Sequence, residues 1–350
     1  MLDNDWLTLL SAAALGFSVL NYVLLDGTDL GVGVLMGLTR CSQHRRTMAV
    51  TLLPIWDANE TWLVLGGGGL LALFPLAYAI LLPALYLPFI LMFLALIVRA
   101  LALEFRDYSP SAAIQRAVDG LLLCGSLLTG ACQGMVLGTL VQGIPNDGRQ
   151  YSGDGWEWLG IFPLYCGAVL VVGYTWLGAC WLYWRTGEVL QRRAARQARA
   201  LGIVTLLLLS VLVTWTVSLD SRYAHRLGNP LIWLPASALL FTLLIGFIQG
   251  FRSRRDYLPL FAALGIFVLS FALMIAALYP LIVPPQLTLQ AAASSPASQK
   301  FMLIGFAVLI PLTLIYNTYG FSVFSGKVHA LPGDKESVEG DCSVHGRRKG

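Results

Sequence analysis

The chain has 350 residues, of which 57% are hydrophobic and only 12% charged, with a net charge of +4. Soluble domains carry roughly 25% charged residues, so a water-soluble globular fold is excluded and an all-α polytopic membrane protein is indicated. The basic residues sit in short connections between apolar stretches rather than in one patch, which argues against a nucleic-acid partner and makes the charge a report on topology.

A membrane helix needs roughly 20 apolar residues, and nine stretches qualify: about 6–37, 47–74, 77–101, 118–142, 159–184, 200–219, 229–250, 257–282 and 300–324. The first has no basic leader and no small-residue cleavage site, so it reads as a retained helix rather than a removed signal. Towards its end lie Asp26 and Asp29, among Gly27, Gly31 and Gly33. The second carries the densest polar run at membrane depth, Trp56, Asp57, Ala58, Asn59, Glu60, Thr61 and Trp62. A carboxylate there costs several kcal/mol unless it is protonated, paired or hydrated. Asp26 with Asp29, and Asp57 with Glu60, are each three residues apart, so on a helix each pair shares a face. The plainer reading of the first pair is a helix end whose acids bond backbone amides. For the second pair, two acids at that depth repel unless they share protons, and proton transfer is their natural use.

Gly66–Gly69 has a phosphate loop's glycines without its Lys and Ser or Thr; it reads instead as a close helix contact or a local break. The third stretch ends near Arg99, with Glu104 five residues on; a snorkelling arginine and an interfacial acid are the simple alternative to a role at a proton entrance. The loops 143–156 and 284–298 are too short to be domains. The connection 186–200 is the longest on the basic side, and the nine spans group as four, four more and a last one. Residues 1–185 then hold the first four-helix bundle and the start of the second, 186–282 the rest of the second, 283–325 the ninth helix, and 326–350 a polar, disordered tail.

Six cysteines form no C-x-x-C pair, and His44, His225, His329 and His345 all lie outside the spans. Haem iron usually takes imidazole, thiolate or thioether ligands, so no haem or other metal is expected in this chain. Assigned alternately to the two faces, the loops and termini place 19 basic residues on one side and only Arg149, Arg222, Arg226 and Lys300 on the other. The positive-inside rule then puts the N-terminus in the periplasm and the C-terminus in the cytoplasm.

The segments LDGTDLGVGVL at 25–35, PIWDANETWLVLGGGGLLALFPLAYA at 54–79 and YPLIVPP at 279–285 resemble subunit II of the cytochrome bd family of bacterial quinol oxidases. The short loop after the fourth span is more similar to the compact, cyanide-insensitive branch, and Ala58 departs from the family's usual Gly. The resemblance implies nine helices as two four-helix bundles plus a peripheral helix, in the bacterial inner membrane, paired with a subunit I. That partner would hold two b-type haems and one d-type haem, oxidise quinol and reduce oxygen to water with cytoplasmic protons. None of these haems is implied for this chain; a structural quinone and a small single-helix accessory subunit are compatible with the family. Carried over by position, Asp57 matches the buried aspartate of a proton route, Asp26 and Asp29 its entrance acids, and Glu104 an acid after Arg99, with Glu60, Trp56, Asn59 and Trp62 beside them. The rival reading is a secondary transporter, which also uses intramembrane acids and broken helices. Its weakness is that the second half of the chain has no acid deep in a span, only Glu188 and Asp220 at the ends.

Overall fold

The structure, a computed structural model, describes residues 2–53, 56–253, 255–323 and 326–328. In chain order its helices are α1 (Leu2–Gly37), α2 (Ser42–Leu52), α3 (Trp56–Leu73), α4 (Pro75–Ala84), α5 (Tyr86–Phe105), α6 (Ala112–Gln142), α7 (Ile161–Arg185), α8 (Glu188–Leu219), α9 (Ser221–Leu227), α10 (Pro230–Arg252), α11 (Leu258–Leu278), α12 (Leu289–Ala292) and α13 (Pro296–Val323). A small antiparallel hairpin, β1 (Leu281–Val283) and β2 (Leu287–Thr288), pairs Leu281 with Thr288 and Val283 with Leu287. The YPLIVPP segment builds its first strand and turn, with cis peptides before Pro280 and Pro285.

Among the described residues eight helices are long and apolar enough to cross a membrane: α1, α5, α6, α7, α8, α10, α11 and α13. The chain is therefore an all-α polytopic membrane protein. The stretch 47–74, expected as one span, is divided into α2, which ends at Leu52 with Leu53 still in helical conformation (φ −45°, ψ −35°), and α3, which starts at Trp56. The stretch 77–101 is also divided. Leu85, at φ −116° and ψ 19°, separates α4 from α5, because Pro88 cannot donate to Ala84 and its ring crowds that carbonyl. Conversely, the connection expected at 186–200 is mostly helix. Its Ala, Arg, Gln and Leu residues are strong helix formers, and they extend α8 back to Glu188 with Leu190, Ala194 and Ala198 buried.

Close packing centres on α7. A methyl group at Gly31 of α1 would overlap the Tyr174 carbonyl and approach Gly178, so bare glycine faces let these two backbones touch. One large buried cluster runs through α1, α6, α7, α8 and α11, with Trp176, Tyr174 and Leu177 fully enclosed. A second joins α4 and α5 to α6, α13 and the hairpin. The first residues of the expected tail are tied down: the Val328 amide donates to the Arg185 carbonyl (2.8 Å), and Lys327 pairs with Asp256. Residues 329–350 lie outside the described part.

The loop between α6 and α7 is held by its own side chains. Asp147 accepts from the amides of Arg149 and Gln150, which keeps its carboxyl below the usual range. Tyr151 donates to Glu157, and partial burial beside that carboxylate pushes the phenol up to about 12.

Candidate functional site

Asp26 and Asp29 lie inside α1 more than two turns before its end at Gly37, and both are buried. Their neighbours Gly27, Gly31 and Gly33 leave α1 unbroken and instead admit Tyr174, the α7 backbone and Ser126 of α6 against it. The two acids are thus walled in by α6 and α7, not displayed at a frayed terminus.

The counter-charge comes from α5. Arg99, only 3% exposed, places Nη2 2.7 Å from Asp26 Oδ1 and 3.5 Å from Glu60 Oε1. Asn59 of α3 donates from Nδ2 to Asp29 Oδ2 at 2.6 Å. Glycine at position 125 brings α6 hard against this arginine, since an added methyl would meet the Ala95 carbonyl at 2.9 Å and Arg99 Cβ at 3.2 Å. Three helices far apart in sequence therefore bring Asp26, Asp29, Glu60 and Arg99 together. Three carboxylates facing one guanidinium leave excess negative charge. At low dielectric that excess is costly unless protons or a cation share it. Asp29 Oδ1 has no hydrogen-bond partner among the described residues, so the cluster keeps a carboxylate oxygen that can take up a proton.

The opening lies on α3. Glu60 is about a third exposed, at 32% of its side chain, and Asp57, one turn earlier, is exposed. Both stand at the start of α3, not in the interior of a long span, and they divide the work of their shared face: Glu60 turns to Arg99 while Asp57 points off the chain. Trp62 is fully buried against Phe17, edge to face with centroids 5.9 Å apart, and half-buried Trp56 packs on the main core. The exposed residues Thr61, Val64, Gly67, Gly68 and Leu71 continue the face on which Asp57 lies, and Gly67 and Gly68 meet only open space. The four glycines therefore do not interrupt α3. Of the four, Gly69 is the tightly packed one: a methyl group added there would meet the Phe306 ring of α13 at 2.7 Å.

Glu104 is not brought to the cluster. It is exposed, and a five-residue step turns it about 140° around α5 from Arg99. Two polar groups in the interior were missed by the sequence reading. Tyr174 Oη donates to Gln133 Oε1 (2.6 Å), whose Nε2 donates to Tyr22 Oη (2.8 Å), one turn from Asp26. Below them, Asp119 of α6 is held by Arg106 (2.7 Å) and Arg45 (3.2 Å). An amide and an acid inside the apolar run of α6 were the available signal; the tyrosines carried none, because aromatic residues in a membrane helix usually just pack.

Haem would need axial donors facing a common space. Among the described residues no three His, Cys, Asp or Glu side chains converge as a metal site, and His44 and His225 stand on separate elements, α2 and α9. No step below is routed through a haem in this chain.

Comparison with known proteins gives a consistent picture. The family model described as cytochrome bd terminal oxidase subunit II matches residues 7–324. A probable cytochrome oxidase subunit 2 from Haemophilus influenzae is 28% identical, covering 93% of this chain and 94% of its own length. A cytochrome bd ubiquinol oxidase subunit 2 from Bacillus subtilis is 27% identical, over 93% and 97%. The cytochrome bd-I ubiquinol oxidase subunit 2 of Escherichia coli strain K12 is 24% identical, over 97% and 98%. Among solved structures, a chain of the bd oxidase from Geobacillus thermodenitrificans superposes with a TM-score of 0.76 at 17% identity, covering 91% of this chain and 99% of that one. This last likeness speaks for the fold.

Proposed function

Because the chain belongs to the cytochrome bd terminal oxidase subunit II family, we propose that it serves as the haem-free half of a quinol:oxygen oxidoreductase and supplies protons to its partner. The partner, subunit I, carries two b-type haems and one d-type haem, which supply the electron transfer and oxygen reduction. This chain's own residues gather protons from the cytoplasmic side and pass them across the subunit boundary. Counted with α3, the spans number nine, arranged as two four-helix bundles with α13 peripheral, in the inner membrane with the N-terminus periplasmic.

The observation that carries this reading is the buried Asp26–Arg99–Glu60 group opening onto an uncovered face of α3 at Asp57. Arg99 keeps the group from being a neutral, fully protonated pocket, and the surplus of carboxylates keeps it from being a closed ion pair. Such an arrangement can hold a proton and release it. Asp57, on the same face as Gly67, Gly68 and Leu71, is placed to hand that proton to whatever chain lies against α3. Glu104, on the other side of α5, acts at most as a surface collector.

The test is Asp57→Asn and Glu60→Gln in the assembled oxidase. Each should retain the haem bands while steady-state oxygen consumption falls at least ten-fold, with haem reduction by quinol less affected. Full turnover with full haem content would refute the relay, and loss of the haem bands together with activity would assign these acids to assembly instead.

A further inference from the structure

Two of the four basic residues on the sparsely charged side, Arg222 and Arg226, fall within five residues of one another with His225 between them. The proton reading gives them no task. They lie on α9, a short helix beyond the end of α8, and with Leu278, Tyr279 and Leu281 they line a cavity of about 590 Å³, a size typical of small-molecule sites. The floor is apolar, from the end of α11 and the start of the hairpin, and the rim is basic.

The charges are not equivalent. Arg222 is spent locally, paired with Asp220 at 2.6 Å and donating to the Pro285 carbonyl at 3.2 Å. Arg226 has no carboxylate within ion-pair distance among the described residues; its guanidinium lies 5.4 Å above the Tyr279 ring. An aromatic face holds a cation in place without neutralising it, so Arg226 presents its N–H fork to the cavity. His225 is exposed beside it. The site is level with the ends of two membrane helices, and exposed Trp233, at the start of α10, marks the same boundary, where indole and phenol rings settle between lipid tails and water.

We propose that this cavity binds the phosphodiester of an anionic phospholipid, with Arg226 forking the phosphate oxygens and the acyl chains lying on Leu278 and the exposed flank of α10. The chemistry recognised is a monoanionic phosphate ester. A lipid headgroup is preferred over free phosphate because the floor is apolar and opens beside membrane helices, and an anionic lipid over a zwitterionic one because no acid is among the residues that line the cavity. This inference does not depend on the redox reading.

The experiment is native mass spectrometry of the full-length protein with its partner, delipidated in mild detergent and titrated with phosphatidylglycerol, with phosphatidylcholine of the same acyl chains, or with inorganic phosphate. The wild type should retain one phosphatidylglycerol that phosphatidylcholine does not match and that millimolar phosphate does not displace. Arg226→Gln should lower its retention about five-fold, the effect of one interfacial cation, while Arg226→Lys keeps most of it. Arg149→Gln, the same loss of charge on the same side but outside the cavity, should leave retention unchanged. Equal retention by Arg226→Gln and wild type, equal binding of the two lipids, or displacement by phosphate alone would each overturn the proposal.

Discussion

Arg99 is buried among carboxylates, and what it holds in place follows from what its loss would leave behind. Removing one partner of a buried ion pair strands the other charge and typically costs ~3–5 kcal/mol. Arg99→Gln should therefore reduce the yield of folded protein and lower its unfolding temperature in detergent, and the double variant Asp26→Asn/Arg99→Gln should recover part of that loss. An Arg99→Gln protein as stable as wild type would mean that the group is already neutralised by protons without the arginine. The same reasoning distinguishes Asp57, which is exposed on this chain: its replacement strands nothing here, so its effect should fall on turnover and not on the fold of this subunit.

At the scale of elements, two sets of glycines that look alike in sequence do opposite things. Gly31 lies where α1 and α7 touch, and Gly68 lies on the open face of α3. Gly31→Ala should force the helices apart and sharply reduce folded protein. Gly68→Leu should leave this chain's thermal unfolding within about 0.5 kcal/mol of wild type, as for surface changes generally, yet weaken co-purification of subunit I if that face is covered by the partner. Normal folding of Gly31→Ala would contradict the packing described. The apolar lengths and the acid spacings were legible in sequence because composition and period are local properties. Asp26, Asp29, Asn59 and Glu60 were found that way. The division between α2 and α3 and the break at Leu85 were not, although Pro88 was visible, because prolines are common inside membrane helices and only packing decides which ones interrupt. The convergence on Arg99 was equally hidden: it depends on how α5 is rotated, and the spacing to Glu104 pointed to the wrong side of that helix. Gln133 and Tyr174 escaped because a hydrogen bond between α6 and α7 leaves no periodic trace in either.

For the whole molecule, the proposed direction of proton entry rests on the 19 to 4 distribution of basic residues. A reporter active only outside the cytoplasm should be silent when fused after Lys327 and active when inserted near Gly148, and the reverse pattern would invert the proposed path. The last helix also has a consequence for how the protein is made. α13 packs along α1 and α3, with Gln299 accepting from Ser11 at 3.0 Å and Phe306 seated at Gly69, while the preceding Ser294 amide donates to the Leu73 carbonyl at 2.9 Å. The acid-bearing helix α3 is thus braced by α13, which leaves the ribosome long after it. A nascent chain can insert its early spans but holds α3 without that brace, so the face that carries Asp57 takes its final shape only once α13 has been made.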